Sequence, residues 1–411
     1  MNFDGETIVI GLGAVGAATL YQLAKRGSRV LGIDRFEPPH AFGSSHGESR
    51  ITRLAVGEGE AYVPIVRRSH AIWRELEAAT GETIYADTGG LILAPVRGEA
   101  PSGGRTDFLR RTIAIAQRHG IAHELLDARE ITRRFPQFQL QGDEHGYFEP
   151  EAGFVRPEAA IAAQLRQARA LGAQLNTGEQ VLALEAVGER VRVVTSRATH
   201  LADRVVLAAG PWLPDFIEAP ARQAWAGSVA VYRQVMFWFD VGNRPGTDGA
   251  FERGRFPVFI WAYGDGDEDS FYGFPASPDT PGRIKVASAQ RVVTTSADAV
   301  QRDVSADESA AMFRDRVAGR LRIASEHCVD ARTCLYTVVP DRQFLIDDWA
   351  ALPAVLIASA CSGHGFKHSA ALGEALAERV LGHAPALDLA PFAHDRLAAA
   401  IQSSPALAQS A

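Results

Sequence analysis

The stretch ETIVIGLGAVGAATLYQLAKRGSRVLGID, residues 6–34, decides the fold of this chain. It starts with a short β-branched run, passes through a glycine-rich turn, and continues with apolar residues at helical spacing until Gly27. Residues 28–34 then form a second apolar run, which is typical of a buried strand. A strand, a helix and a strand within about 30 residues make a βαβ unit, and such a unit implies a parallel sheet.

Gly11, Gly13 and Gly16 form a GxGxxG motif at the turn between the first strand and the helix. The first glycine allows the tight turn, the second lets the backbone approach a pyrophosphate, and the third lets the helix pack closely on the strand. Asp34 ends the second strand, where an acid hydrogen-bonds a ribose. Glycine turns also arise by chance, but this setting favours dinucleotide binding. The acid favours FAD or NAD over NADP, and the stretch alone does not separate FAD from NAD.

The composition excludes several classes of protein. The chain has 411 residues, 46% apolar and 22% charged, with a formal net charge of −7, which predicts a globular protein and not a nucleic-acid binder. Three cysteines, Cys328, Cys334 and Cys361, are too few for a disulfide framework and fit a reducing compartment. The N-terminus lacks a signal-peptide pattern, and the least polar stretch, residues 350–365, is too short and interrupted to span a membrane. We expect a cytoplasmic protein without bound metal.

Two further buried-strand patterns, residues 203–210 and 354–360, lie far along the chain, and residues 221–294 alternate apolar and aromatic positions as antiparallel strands do. The predicted fold class is α/β, with a Rossmann-like nucleotide-binding domain assembled from separated segments. The second domain is predicted to be an α+β substrate domain with an antiparallel sheet. The predicted boundaries are residues 1–84, 150–220 and 325–400 for the first domain, residues 85–149 and 221–324 for the second, and a tail at residues 401–411.

Two polar loops follow strands at the edge where α/β proteins bind ligands. The first, residues 38–50, mixes small residues with histidine and arginine, and Arg53 follows it. The second, residues 362–367, ends in Lys367 at the start of the last long helix pattern. Taken alone, each loop could also be a solvated connection, and Lys367 a surface lysine. Next to a dinucleotide motif, both loops are candidates for covering a cofactor and holding an anionic substrate.

The chain resembles the monomeric sarcosine oxidase and N-methyltryptophan oxidase family, within the D-amino-acid oxidase and glycine oxidase class of flavoproteins. The matching stretches are GLGAVGAATLYQLAKRG, FEPPHAFGSSHGESRITR, VGEGEAYVPIVRRSHAIW, DTGGLIL, TCLYTVVPDRQFLID and SGHGFKHS. They run in the family's order from residue 8 to about residue 381. The resemblance implies FAD as the cofactor and makes the Rossmann-like unit an FAD-binding domain.

The resemblance also implies roles for individual residues. Cys334 matches the cysteine that carries the flavin through an 8α thioether, with Cys361 as the only rival. Lys285 matches the lysine that promotes the reaction of reduced flavin with dioxygen, and alternation places it on the face opposite to its neighbours. The other implied catalytic residues are Arg50 and His46, beside the flavin ring; the implied substrate-binding residues are Arg53, Lys367, Tyr272 and Tyr336; and the implied cofactor-binding residues are Gly11, Gly13, Gly16, Asp34, Ser45, Cys334, Gly363, Gly365 and Lys367.

Two positions depart from the family pattern. Ala289 stands where the family carries a histidine that contacts the substrate, and Trp261 is expected to add bulk to the pocket. The resemblance therefore leaves the particular amine open.

The expected reaction is oxidation of a secondary amine, an N-methyl or cyclic α-amino acid. A hydride passes to flavin N5, the imine hydrolyses, and dioxygen is reduced to hydrogen peroxide. The alternatives are a flavin-dependent dehydrogenase with a protein or quinone acceptor, an NAD-dependent dehydrogenase, and a non-catalytic flavin-binding protein. The expected partners are a small amine and dioxygen, with no nucleic acid and no membrane, and the expected oligomeric state is a monomer.

Overall fold

The computed structural model describes residues 3–95, 107–217, 225, 227–242, 249–264, 266, 268–277, 280–323 and 325–397. The tail predicted for residues 401–411 lies outside this part of the chain. Within it, the strands form two large sheets and one small sheet. The α-helices are α1 (Ala14–Lys25), α2 (Tyr62–Thr80), α3 (Asp107–Arg118), α4 (Ala128–Arg134), α5 (Pro157–Ala170), α6 (Leu213–Ile217), α7 (Ala306–Met312) and α8 (Ser369–Val380).

The first sheet collects eight strands from separate parts of the chain. They are β1 (Asp4–Ile10), β2 (Val30–Ile33), β9 (Gln174–Asn176), β10 (Val181–Val187), β11 (Arg190–Thr195), β12 (Thr199–Leu207), β19 (Leu345–Trp349) and β20 (Leu352–Ser359). β1 pairs in parallel with β2 and with β12, and β12 pairs in parallel with β20. β10, β11 and β19 are added in antiparallel orientation. The prediction of a Rossmann-like domain assembled from separated segments is confirmed.

The helix of the first βαβ unit, α1, packs closely against a helix from the end of the chain. α1 packs against α8 at Gly373, where an added Cβ would lie 2.4 Å from the Cβ of Ala18. α2 and α5 pack in the same hydrophobic core. Because β1, β12 and β20 are parallel, the loops that follow them emerge at one edge of the sheet, together with the N-terminus of α1. That edge carries the glycine motif and the loop of residues 362–367.

The second sheet has nine strands, and its pairs are antiparallel except for β5 with β14. The strands are β5 (Gly90–Pro95), β6 (Glu124–Leu126), β7 (Glu144–Glu149), β13 (Ala230–Asp240), β14 (Val258–Ala262), β15 (Ser270–Phe274), β16 (Arg283–Ala287), β17 (Thr294–Thr295) and β18 (Cys328–Val338). The antiparallel sheet predicted for residues 221–294 is confirmed.

Strand β18 lies in the second sheet, where it pairs with β13 along nearly its whole length. The boundaries predicted from sequence placed residues 325–400 in the first domain, so the strand pairing differs from that division over Cys328–Val338. The apolar pattern of a strand does not identify a partner so distant in the chain. The division into two domains otherwise stays a prediction.

A third, small sheet consists of β3 (Arg50–Thr52), β4 (Tyr85–Asp87) and β8 (Gly153–Val155). β3 and β4 both pair with β8, which fixes the chain directly before Arg53. None of the helices in the described part of the chain is long and apolar enough to cross a membrane.

Candidate active site

A cavity of about 420 Å³ lies between the loop edge of the first sheet and one face of the second sheet. Its walls include most of the residues singled out from the sequence: Gly11, Gly13, Asp34, Ser45, Arg50, Arg53, Tyr272, Lys285, Tyr336, Gly363, Gly365 and Lys367. Cys361 also lines it. Gly16, His46 and Cys334 are not part of the wall and lie behind it.

The glycine motif has the backbone geometry that its residues require. Gly11 has a φ of +84°, a region that favours glycine, and its N–H donates to the Ile33 carbonyl at 2.8 Å. A Cβ on Gly16 would lie 1.7 Å from the Gly11 carbonyl oxygen, so only glycine lets α1 begin this close to β1. At Gly13 the nearest atom to a Cβ would be Ser45 Oγ at 3.7 Å. The space over Gly13 is therefore open toward the cavity.

Asp34 organises the turn as well as lining the cavity. Its Oδ2 accepts the Leu12 N–H at 2.7 Å, and its Oδ1 accepts the Phe36 N–H at 2.8 Å. A carboxylate has about four acceptor sites, so these two bonds leave capacity for a ribose hydroxyl. Asp34 thus ties the glycine turn to the end of β2.

Glu158, in the first turn of α5, anchors the loop that precedes β3. Its Oε1 accepts the N–H of Gly47 at 2.6 Å and that of Glu48 at 3.2 Å. Both loop residues have positive φ, +88° and +73°, and the strained Glu48 needs surrounding contacts to hold it. The indole N–H of Trp238 supplies one more by donating to Glu48 Oε2 at 3.0 Å.

The loop held by Glu158 in turn holds Lys285. Lys285 Nζ donates to the carbonyl oxygens of Gly47 and Ser49, both at 2.7 Å, and lies 4.0 Å from the centre of the Phe274 ring. An ammonium group has three donors, which leaves one for the cavity. Burial lowers the pKa of Lys285 well below its ordinary value, and the Arg50 charge lowers it further. Ile284 and Val286 pack in the core on the opposite face, so the predicted alternation along β16 is confirmed.

Glu158→Ala is expected to destabilise this loop by about 1–3 kcal/mol, because it leaves the Gly47 and Glu48 N–H groups without a carboxylate acceptor. Thermal unfolding of the flavin-loaded protein would show a lower midpoint. Glu158→Gln should lose less stability, since its amide oxygen still accepts hydrogen bonds from these N–H groups. Glu185→Ala is the control, because this glutamate only forms a pair with Arg192 in which both side chains are about half exposed. Equal midpoints for Glu158→Ala and Glu185→Ala would contradict the anchoring role.

Arg50 places a permanent positive charge beside the buried thiol of Cys334. Its guanidinium donates to the Ser49 and Ser44 carbonyls, each at 2.8 Å, and its Nη2 lies 3.6 Å from Cys334 Sγ. Burial raises the pKa of the Cys334 thiol, and the Arg50 charge opposes that rise. Cys361 is less buried and lines the cavity directly.

His46 is neutral in this arrangement. Its burial, together with the charges of Arg50 and Lys285, lowers the pKa of the imidazole to about 3. Among the described residues, neither ring nitrogen has a hydrogen-bond partner. The permanent positive charge near His46 therefore comes from Arg50, and His46 is left to supply a neutral donor or acceptor.

Arg53, Lys367 and Glu58 form a buried charge cluster at one end of the cavity. Arg53 Nη2 lies 2.9 Å from Glu58 Oε2, and Lys367 Nζ lies 3.7 Å from Glu58 Oε1. Burial alone would raise the pKa of Glu58, but the two cations hold it well below its ordinary value. Burial and Arg53 lower the pKa of Lys367 to about 8. Two cations against one carboxylate leave a net positive charge while Lys367 is protonated.

Arg53 is also held ready for a further anion. Its Nε and Nη1 have no hydrogen-bond partner within the described part of the chain, although the side chain is almost fully buried. Glu149 fixes the backbone directly after it, by accepting the N–H of Leu54 at 2.5 Å and that of Ala55 at 3.1 Å. Such buried, unpaired guanidinium nitrogens fit an anionic ligand.

The second sheet supplies the aromatic wall of the cavity. The hydroxyls of Tyr272 and Tyr336 lie 3.1 Å apart, and both residues line the cavity as expected. The expectation that Trp261 adds bulk to the pocket is wrong. Trp261 is fully buried on the far face of β14, where it packs with Phe138 and Phe271, and Ile260 lines the cavity in its place.

Three carboxylates that matter to the site were not predicted from the sequence: Glu58, Glu149 and Glu158. Each bonds to a charged group or to backbone N–H groups of the loops around Gly47 and Arg53. Only Glu58 lies in a stretch already singled out, since it is part of VGEGEAYVPIVRRSHAIW. Glu149 and Glu158 lie in stretches without a motif, and no local signal identifies them.

Residues 6–379 match the family described as FAD dependent oxidoreductase (DAO). The chain belongs to this family. It is 36% identical to monomeric sarcosine oxidase of Streptomyces avermitilis, over 96% of this chain and 98% of that protein. It is 32% identical to N-methyl-L-tryptophan oxidase of Salmonella heidelberg, over 95% and 98% of the two chains. The chain is therefore an FAD-dependent oxidoreductase.

A solved structure supports the fold of this family member. It is an open form of a variant of NikD, described as an unusual amino acid oxidase essential for nikkomycin biosynthesis. The two chains superpose with a TM-score of 0.80 at 25% identity, over 95% of this chain and 97% of that one.

The residues of the cavity fit FAD. The open space over Gly13 can receive a pyrophosphate at the N-terminus of α1, where free N–H groups favour negative charge. The hydroxyls of Ser44 and Ser359 lie at the cavity without a partner among the described residues, and His46, directly behind the wall, has two unpartnered ring nitrogens. Orphaned buried polar atoms along one cavity are what a large polar cofactor would satisfy.

Proposed function

We propose that this oxidoreductase oxidises secondary amines that carry an α-carboxylate, N-methyl or cyclic α-amino acids, and that dioxygen is the electron acceptor. The single observation that carries the proposal is the buried Arg53 guanidinium, with two nitrogens unpartnered among the described residues, beside Lys367 in the cavity that also holds the glycine motif. The names of the two curated relatives, a sarcosine oxidase and an N-methyl-L-tryptophan oxidase, agree with this substrate class.

Each group of residues has a distinct part in the reaction. Arg53 and Lys367 bind the substrate carboxylate, and Tyr272 and Tyr336 form the aromatic wall of the substrate pocket. FAD, when bound, accepts the hydride of the amine C–H bond and transfers the two electrons to dioxygen. Lys285, when protonated, provides a positive charge where negative charge develops on dioxygen. Water then hydrolyses the released imine, and dioxygen leaves as hydrogen peroxide.

The charges around the cavity favour the neutral form of the amine. Arg50 and Arg53 bring two permanent positive charges to its wall, and Lys285 and Lys367 add to them when protonated. Nearby positive charge lowers the pKa of an amine. A neutral amine lacks the additional proton of the ammonium form, which would have to be removed before the hydride leaves. The chain then needs no general base.

The test is anaerobic mixing of the purified protein with sarcosine, N-methyl-L-alanine and L-pipecolate, while the flavin absorbance is recorded. Bleaching by at least one of these amines, followed by stoichiometric peroxide when air is admitted, would support the proposal. Bleaching without peroxide would instead indicate a dehydrogenase with another acceptor. No bleaching by any secondary amine would overturn the substrate class.

We also propose that FAD is attached covalently to Cys334. The bond would form with loss of the thiol proton and of one hydrogen from the 8α-methyl group, and the two electrons released would pass through the FAD to dioxygen. The Arg50 guanidinium, 3.6 Å from the sulfur, stabilises the thiolate that this step needs.

Cys334→Ser is expected to convert an acid-stable yellow protein into one that releases its flavin. Acid precipitation of the wild type should leave the colour in the pellet, on a peptide containing Cys334, and the variant should lose it to the supernatant. Cys361→Ser is the matched control, because this thiol lines the same cavity, and it should retain the colour. Release from Cys361→Ser and retention by Cys334→Ser would assign the bond to the other cysteine.

Two further expectations stay proposals. A monomer is favoured by the name of the sarcosine oxidase relative, and sedimentation of the purified protein would measure it. The cytoplasmic location rests on the composition and cysteine content alone.

A further inference from the structure

Arg291 turns inward from the loop that follows β16. The next two residues, Val292 and Val293, are 77% and 73% exposed, whereas Arg291 is only partly exposed. Its Nη2 donates to the Ser362 carbonyl at 3.4 Å and lies 3.2 Å from the place that a Cβ on Gly363 would take. Since Gly363 lines the cavity, a permanent positive charge lies directly behind this wall.

The surroundings of Arg291 are the aromatic end of the cavity. The ring of Tyr336 comes within 2.9 Å of the same Cβ position on Gly363, so ring and guanidinium are neighbours. The Tyr336 hydroxyl lies 3.1 Å from that of Tyr272. Burial raises the pKa of Tyr272, and Arg291 is among the positive charges that oppose the rise. Arg291 and two phenol hydroxyls therefore converge on one region.

This charge is separate from the one that binds the α-carboxylate. Arg53 and Lys367 both contact Glu58. Arg53 directly follows β3, and Lys367 lies just before α8. Arg291 lies next to Gly363 and Tyr336, on the side of the second sheet. A ligand in the cavity would thus have Arg53 and Lys367 at one part of the wall and Arg291 directly behind another part.

We propose that Arg291 binds a second anionic group of the substrate, a side-chain carboxylate, so that the preferred substrates are secondary-amine amino acids with two carboxylates. The inference rests on the proposed function, which supplies the first carboxylate and the amine. A guanidinium presents a planar fork of N–H donors that matches a carboxylate. The tyrosine hydroxyls beside it can donate to the same group.

The experiment compares N-methyl-L-glutamate with N-methyl-L-glutamine, which has the same shape and no side-chain charge. In the wild type, kcat/KM for the acid should exceed that for the amide about tenfold or more, as expected for a charge-assisted hydrogen bond. Arg291→Gln should abolish this difference by raising KM for the acid, and Arg291→Lys should retain part of the difference. Arg283→Gln, which alters an exposed arginine at the start of β16, should leave the preference unchanged.

A binding measurement separates this inference from the proposed function. Glutarate and its monoamide, glutaramate, can be titrated against the flavin absorbance without turnover, and glutarate should lose about tenfold in affinity in Arg291→Gln. Equal losses for both ligands would show that Arg291 only supports the Ser362 carbonyl, and equal affinity in the wild type would also overturn the inference. If no amine reduces the flavin, the proposed function fails while this titration still decides the role of Arg291.

Discussion

Lys285→Met is expected to slow reoxidation of the bound FAD by dioxygen about 100-fold or more, while anaerobic reduction by substrate changes only a few-fold. The magnitude is that of removing one preorganised charge or donor from a site where charge develops. Lys285 fits this part because two backbone carbonyls fix its ammonium group, with one donor left for the cavity. Stopped-flow absorbance measures the two half-reactions separately.

Two further variants make the Lys285→Met result interpretable. Lys285→Met leaves the Gly47 and Ser49 carbonyls without their donor, so part of any loss could come from a loosened loop. Lys285→Arg keeps a positive charge and should retain more of the reoxidation rate, and Arg283→Met, on the exposed start of β16, should behave as wild type. If Lys285→Met slows reduction and reoxidation equally, the role in the dioxygen reaction is wrong.

The part of the fold that follows from local signals was predictable from the sequence. Residues 6–34 contain the strand, the glycine turn, the helix and the acid in one continuous stretch, and the structure has β1, α1 and β2 there. The distant strands β12 and β20 were also predicted, because runs buried on both faces are typical of parallel sheets. The pairing of β18 with β13 was not predicted, since strand partners are set by long-range packing.

The site was predictable only where a side chain stands in a recognisable motif. Alternation along β16 separates Lys285 from Ile284, but alternation along β14 does not show which of Ile260 and Trp261 faces the cavity. That choice depends on which face of the sheet the core covers, and Trp261 lies on the core side.

The charge state of the site depends on burial and on neighbours distant in sequence. The pKa of His46 is low because the imidazole is buried and because Arg50 and Lys285 lie near it, and the sequence shows none of this. Glu158 accepts N–H groups from a loop about 110 residues earlier. An isolated glutamate in a helix pattern is typical of a solvent-exposed side chain, so only the three-dimensional structure identifies the anchoring role of Glu158.

Gly16→Ala is expected to yield a protein with little bound FAD and a lowered unfolding midpoint. The added Cβ would lie 1.7 Å from the backbone oxygen of Gly11, so α1 must move away from β1. Overpacking of this kind costs about 1–3 kcal/mol and more where the backbone cannot yield. The displaced α1 N-terminus then no longer meets the pyrophosphate. The ratio of flavin to protein absorbance and thermal unfolding measure both effects.

Gly13→Ala separates the loss of FAD binding from the loss of stability, because it should weaken FAD binding alone. Its Cβ would have no protein atom closer than Ser45 Oγ at 3.7 Å, so the apoprotein should unfold near the wild-type midpoint. The methyl group would instead occupy the space that the pyrophosphate needs. Both variants are best made in a Cys334→Ser background, where no thioether can retain FAD. Full flavin content and an unchanged midpoint in Gly16→Ala would contradict the tight packing of the motif, and unchanged FAD affinity in Gly13→Ala would place the phosphates elsewhere.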